Sequence, residues 1–135
     1  MAKFTGKNLS LSFIHSGGTL DLAADFRTLS KAPSIGMVDA SAGSDADRTY
    51  LTTLKDGTYS WGGVSQEAGT VLRNALLEGS GGTLIIGEEG TVAGKPKETV
   101  VVISMGAQYN IPYDNVVEIS CQFQKNGART LSVYP

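Results

Sequence analysis

The chain has 135 residues, of which 41% are hydrophobic and 18% are charged, with a formal net charge of −2. These values predict one globular domain over residues 1–135, and the lack of a cationic excess argues against tight nucleic-acid binding. No apolar run approaches the ~18 residues of a membrane helix. Residues 3–10 are too polar to begin a secretory signal peptide, so we expect no membrane partner and synthesis in the cytosol.

The first predicted element is a strand. Residues 8–13 alternate strictly, which places Leu9, Leu11 and Phe13 on one half-buried face. Gly17-Gly18 ends this strand. Residues 19–30 lack clean alternation, and we interpret them as a strand with a bulge or, alternatively, as a short helix.

Residues 38–62 predict a strand, a loop of small polar residues over 39–47, a second strand, a reversal and a third strand. The reversal is placed at Asp56-Gly57, because Asp-Gly between strand-like runs favours a type I′ turn. The loop has little apolar area to offset the entropy of ordering, so we expect it to be mobile in the isolated chain.

A helix is predicted over residues 66–78. Ser65 can cap its first turn, apolar residues follow at helical spacing, and the glycine-rich segment 79–82 ends it.

The C-terminal half predicts further strands, including 83–86 and 99–110, and a last hairpin that turns at Asn126-Gly127. The fold class is mainly β, a β-sandwich or partly open barrel of about eight strands with one flanking α-helix. The residues expected in the core are Phe13, Trp61, Leu72, Leu76, Val101, Ile103, Ile119 and Phe123.

No catalytic, cofactor or metal site is predicted. His15 is the only histidine, so a catalytic relay cannot be assembled with any matched partner. Asp39, Asp45 and Asp47 could in principle gather a calcium ion, but they lack EF-hand spacing, and solvated or partner-facing acids are the default interpretation. Cys121 is expected to be a small buried residue.

The order of these parts resembles the major tail tube protein of long-tailed, siphovirus-type bacteriophages. The resemblance rests on the alternating first strand, the loop and strands of residues 38–62, the helix of residues 66–78, and Gln124 to Gly127. It implies a structural protein, not an enzyme, with the phage tail tube fold. Six subunits would form a ring, rings would stack, and their strands would close into one barrel around a channel for DNA ejection into the host.

The resemblance also implies partners and a location. The chain would bind copies of itself and the tape measure, tail tip initiator and terminator proteins of a virion tail assembled in the host bacterial cytoplasm, while DNA would pass without specific binding. The expected inter-subunit and inter-ring contacts are Asp39, Ser41, Ser44, Asp45, Asp47, Arg48 and Tyr50, with Arg48 paired to an acid of a neighbouring subunit. The lumen-facing residues implied are Thr53, Thr83 and Glu98.

A soluble β-sandwich that binds a ligand such as a glycan is the alternative. Such a module would expose aromatic side chains on one face, and the candidates are Tyr50, Tyr59, Tyr109 and Tyr113.

Overall fold

Seven antiparallel strands form one continuous sheet in a computed structural model that describes residues 3, 5–24, 26–65 and 70–135. The strand order is β2-β1-β5-β6-β7-β4-β3. The elements are a 3-10 turn at Gly6–Asn8, β1 Ser10–His15, β2 Gly18–Asp21, β3 Phe26–Asp39, β4 Tyr50–Val64, α1 Thr70–Ala75, β5 Gly81–Gly87, β6 Pro96–Asn110 and β7 Glu118–Val133.

The sheet curls around a core but does not close. In the described part of the chain β2 and β3 lie at its two ends and do not pair with each other. The predicted fold class, a mainly β, partly open structure with one α-helix, is confirmed, with seven strands where about eight were expected. Neither described helical segment is long and apolar enough to cross a membrane.

The two predicted hairpin turns are wrong, because β4 and β7 run straight through Asp56-Gly57 and Asn126-Gly127. Neither Gly57 nor Gly127 has the positive φ that a type I′ turn requires. Both glycines instead permit close packing. A Cβ on Gly57 would lie 3.2 Å from the Pro33 Cα, and one on Gly127 would lie 2.9 Å from the Val101 Cβ.

The sheet forks between β4 and β7. Their ladder begins at the pair Thr58 and Gln124, so β4 residues 50–57 pair only with β3 and β7 residues 125–133 pair only with β6. At the fork the Gln124 side-chain amide donates to the Asp56 carboxylate and, at 3.1 Å, to the Gly57 carbonyl. Residues 33–57 therefore project as a two-stranded extension, which we name the β3–β4 arm.

The core lies on the concave face of the sheet. The indole N–H of Trp61 donates to the Leu22 carbonyl at 3.1 Å, and the rings of Phe13 and Phe123 lie 5.2 Å apart between centroids. Among the residues expected in the core, burial is confirmed for Phe13, Trp61, Leu72, Leu76, Ile119 and Phe123, and Cys121 is buried as well.

The predicted core face of β6 is wrong. Val100 and Val102 are fully buried, whereas Val101 is 38% exposed and Ile103 is half-buried. Both faces of this strand are apolar, so alternation could not decide between them. The small or polar residues Ser104, Gly106 and Gln108 alternate with the predicted core face, which favoured the opposite assignment, yet Ser104 is buried.

Two other predicted segments also differ from the structure. Residues 19–30 are neither one bulged strand nor a helix, because β2 ends at Asp21 and β3 begins at Phe26. The helix ends at Ala75, so the predicted end at residue 78 is wrong, and the predicted residues 66–69 lie outside the described part. Gly79, with φ of 84°, takes the left-handed conformation expected after the helix.

The face assignment of β6 can be tested with two threonine substitutions. Val102→Thr should lower the free energy of unfolding by about 1–3 kcal/mol, because it buries a hydroxyl without a matched partner. Val101→Thr should change it by less than about 0.5 kcal/mol, because that side chain is partly in solvent. Urea denaturation of both variants measures the difference, and equal losses would contradict the assignment.

Candidate functional site

A buried carboxylate links four neighbouring strands of the sheet. Glu98 on β6 is 3% exposed and accepts a hydrogen bond from the Tyr59 hydroxyl of β4 at 2.8 Å. Arg129 of β7 donates to it through Nε at 2.9 Å and Nη2 at 3.2 Å. The Lys31 ammonium of β3 lies 3.0 Å from Glu98 Oε1 and also pairs with Glu88. We name these five residues the Glu98 network.

Hydrogen bonding keeps the Glu98 network charged. Burial by itself would raise the pKa of Glu98, but hydrogen bonds from Arg129, Tyr59 and Lys31 together hold it below its usual value. Burial and the bond to Glu98 raise the pKa of Tyr59 to about 12, so the phenol donates at neutral pH. Burial opposes the charge on Lys31, yet its two carboxylate partners raise its pKa overall.

The burial of Glu98 corrects its assignment to the lumen. A carboxylate that is 3% exposed and accepts hydrogen bonds from three side chains of its own chain cannot present its charge to a channel. Its role is to hold strands together. Burying an ionised group is tolerated only where charged and hydrogen-bonding partners compensate the desolvation.

The other two predicted lumen residues lie far apart in the fold. Thr53 is exposed on the β3–β4 arm, at a bulge where two β4 residues face Gly36. Thr83 is half-buried on β5, opposite Ile14 and Val101. The structure does not bring these side chains together, and their exposure to a channel stays a prediction.

The loop over residues 40–49 closes on itself at the tip of the β3–β4 arm. The Ala40 amide donates to the Thr49 carbonyl at 2.8 Å, and the Thr49 amide donates to Ser41 Oγ at 2.8 Å. The Ala42 amide donates to the Asp45 carboxylate at 2.7 Å. All ten residues are exposed, including the predicted contacts Ser41, Ser44, Asp45, Asp47 and Arg48.

Asp39 and Arg48 pair within the chain. Their closest charged atoms lie 3.8 Å apart, and the side chains are 47% and 77% exposed. Hydrogen bonds from Ser41 lower the pKa of Asp39. An exposed pair of this kind contributes little free energy and can exchange partners, so the pairing of Arg48 with a neighbouring subunit stays a prediction.

Of the apolar side chains beside the loop, the sequence analysis named only Tyr50 as a contact. The β3–β4 arm exposes Met37, Val38, Tyr50, Leu51 and Leu54, the last at 86%. Contiguous exposed apolar residues commonly mark interaction surfaces. The sequence does contain a signal, since these strand residues are apolar on both faces, but the loop was the more conspicuous feature.

Other candidate groups have structural roles. His15 accepts a hydrogen bond from the Gly17 amide at 3.1 Å and stacks on Phe13. Burial raises the pKa of the Cys121 thiol. Among the described residues no group of three or more His, Cys, Asp or Glu side chains could hold a metal ion. Tyr59 is fully buried, so it is wrong as a member of an exposed aromatic face.

Comparison with solved structures identifies the architecture. No protein-family model and no curated protein matches this chain. A chain from the tail of an empty gene transfer agent particle, solved with C6 symmetry, matches with a TM-score of 0.76 at 15% identity, over 96% of this chain and 99% of that one. A chain of the SPP1 tail tube matches with a TM-score of 0.67 at 11% identity, over 97% and 80%. The chain has the tail tube fold.

The tail tube fold of this chain also matches a contractile apparatus. A chain from the sheath-tube complex of an extracellular contractile injection system has a TM-score of 0.69 at 7% identity, over 97% of this chain and 92% of that one. The resemblance in the order of sequence elements is thereby confirmed at the level of fold.

The Glu98 network predicts a pH-dependent stability. The folded-state pKa of Glu98 is lowered, so its contribution is complete above the ordinary glutamate pKa of about 4.3 and is lost as pH falls through the folded value. Glu98→Gln should lower the free energy of unfolding by about 3 kcal/mol at pH 7. It should also reduce the loss of stability on acidification, as measured by urea denaturation between pH 7 and pH 3.

Glu118→Gln is the matched control for that substitution. Glu118 pairs with Arg27 at 3.1 Å, but both side chains are 51% exposed. The expected change in the free energy of unfolding is below about 1 kcal/mol. An acid profile of Glu98→Gln that is identical to the wild-type profile would contradict the role given to Glu98.

Proposed function

We propose that this chain is the tube subunit of a phage-like tail, and that it polymerises as stacked hexameric rings whose channel conducts DNA into a host. The observation that carries the proposal is the open sheet with long strands, in a chain that has the tail tube fold over almost its whole length. The proposed partners are further copies of the chain and the tape measure, initiator and terminator proteins of a virion tail, assembled in the host cytoplasm.

Unpaired strand edges support polymerisation. In the described part of the chain, the 14-residue β3 pairs only with β4. The β5 ladder along β6 ends at Ile103, and Ser104 still bonds the backbone of Gly79 and Ser80, so residues 105–110 of β6 are also open on that side. Long open edges promote uncontrolled association unless they are paired or covered. Lateral pairing of β3 with β6 of the next copy would satisfy both edges.

Strand geometry supports a channel wide enough for DNA. The strands β6, β7, β4 and β3 are adjacent and contain 15, 16, 15 and 14 residues. Six copies would supply about 24 strands, which at a spacing of about 4.8 Å and a tilt of about 40° close a barrel roughly 48 Å in diameter. Inward side chains would narrow this opening but leave room for a duplex.

The exposed face of the central strands has the chemistry of a passive wall. On β4 and β7 the side opposite Trp61 and Cys121 presents the uncharged residues Ser60, Ser120 and Gln122, and at the start of β7 it presents Glu118, whose carboxylate pairs with Arg27 at 3.1 Å. A wall on which Arg27 is already paired offers phosphate few counterion-releasing contacts, so DNA would slide. We add the three uncharged residues to Thr53 and Thr83 as proposed wall positions.

Electron microscopy of concentrated protein tests the assembly. We expect rings or tubes with six-fold symmetry, and monodisperse monomers at every concentration would contradict the proposal.

The inter-subunit contact is assigned to residues 39–50. Deleting residues 40–46 should leave a folded monomer that forms no tubes, because the described hydrogen bonds of this loop are to its own residues and flanking Asp39.

Circular dichroism and sedimentation velocity of the deletion variant provide the control for folding. Three residues would still connect Asp39 to Tyr50, a length that suits a hairpin. Tubes of normal appearance from this variant would remove the loop from the contact.

The wall assignment predicts an effect of charge on DNA passage. Gln122→Lys should leave tubes intact but slow DNA ejection at low salt, because a ring of cations would bind phosphate. Gln122→Glu is the control at the same site and should eject at the wild-type rate. Ejection from particles carrying each variant is measured across a salt series, and equal rates for both variants would exclude Gln122 from the wall.

A further inference from the structure

A basic groove opens where the sheet forks. It begins beyond the last ladder pair of β4 and β7, Thr58 and Gln124, and has a volume of about 470 Å³. A cleft of this size can receive a short turn or a few side chains. Its walls come from β3, β4 and β7 and consist of Pro33, Ser34, Lys55, Asp56, Lys125, Ala128, Arg129 and Leu131.

Two lysines without an ion-pair partner in the described part of the chain outnumber the one acid among the lining side chains, so the groove carries a net positive charge. Arg129 is neutralised by Glu98, and the single acid, Asp56, accepts hydrogen bonds from Gln124 and from the Gly57 amide. Lys55 and Lys125 have no salt-bridge partner among the described residues. Two ammonium groups therefore border a groove that lies open to solvent.

The loop at the tip of the β3–β4 arm has the complementary properties. Asp39, Asp45 and Asp47 outnumber its one cation, Arg48. The remaining side chains of residues 40–46 are all Ala, Ser or Gly, so the backbone can approach a narrow cleft closely. The loop is already shaped by its own hydrogen bonds, which lowers the entropic cost of docking.

We propose that the groove receives the 40–49 loop of a second copy of this chain, an inference that rests on the proposed tube function. The Asp45 and Asp47 carboxylates of the incoming loop bind Lys55 and Lys125. Charge-assisted hydrogen bonds of this kind give an interface its register.

The loop of the same chain cannot fill the groove. The paired strands of the β3–β4 arm run on from Ile35 and Lys55 to Asp39 and Tyr50, which separates the base of the loop from Lys55 by about 15 Å at about 3.3 Å per residue. Donor and acceptor are thus different patches of one molecule. Such a head-to-tail contact propagates as an open filament when its rotation does not close, which is the geometry that the stacking of rings requires.

A charge-swap series tests the contact. Lys55→Glu/Lys125→Glu should raise the protein concentration required for assembly at least tenfold, and Asp45→Lys/Asp47→Lys should do the same. The chain carrying all four substitutions should assemble near the wild-type threshold, because the charges are again complementary. Lys7→Glu/Arg73→Glu is the control, with the same change of net charge at exposed residues outside the groove.

Cysteine cross-linking gives a readout that does not depend on tubes. Ser44→Cys/Ala128→Cys places one thiol in the loop and one in the groove, and oxidation should produce a ladder of covalent multimers. A ladder without tubes would contradict the tube function and support the contact. Tubes without a ladder would overturn the contact alone. The same holds if the chain with all four charge substitutions folds but fails to assemble. Neither ladder nor tubes would overturn both.

Discussion

The buried carboxylate of Glu98 is the interaction on which the shape of this molecule depends. It binds side chains from β3, β4 and β7, strands that turn apart only a few residues further along. Lys31 lies two residues before Pro33 at the base of the β3–β4 arm, and Arg129 lines the groove beside it. The network therefore links β3, β4 and β7 at the base of the arm, beside the groove. An apolar core alone would give no such directional link, because hydrophobic packing is non-directional.

The long strands have two apolar faces for two different purposes. On β6, Val100 and Val102 pack into the core while Val101 stays partly exposed, and on the β3–β4 arm Leu51 and Leu54 contact solvent. A monomer gains nothing by exposing such residues, whereas the proposed assembly would bury them. The open sheet has the same explanation. Unpaired strand edges promote aggregation of an isolated chain, whereas in a polymer they can pair with the next copy.

This chain shares its fold with solved tail structures but little of their sequence. Solved tail structures match it at identities of 15% or less, although no family model matches. A sheet that pairs through backbone groups constrains side chains mainly by face and size, so many sequences can satisfy it. Specific recognition would then come from local chemistry, such as the proposed contact between the acidic loop and the two lysines of the groove.

The sequence by itself determined the features that depend on local patterns. Alternation identified β1, small polar residues identified the loop after Asp39, and Gly79 identified a left-handed turn after the helix, although the helix itself ends at Ala75. The loop as a candidate contact was visible for the same reason.

Tertiary structure alone decided the rest. The residues before Gly57 and Gly127 make each pair resemble a hairpin turn. In the structure each glycine instead leaves room for a neighbouring strand, at Pro33 and at Val101, and only the packing reveals this. Glu98 looks like a surface acid until three strands supply its partners, and the groove exists only because two strands that pair at Thr58 separate one residue later. Such contacts join residues distant in the chain, and no local periodicity encodes them.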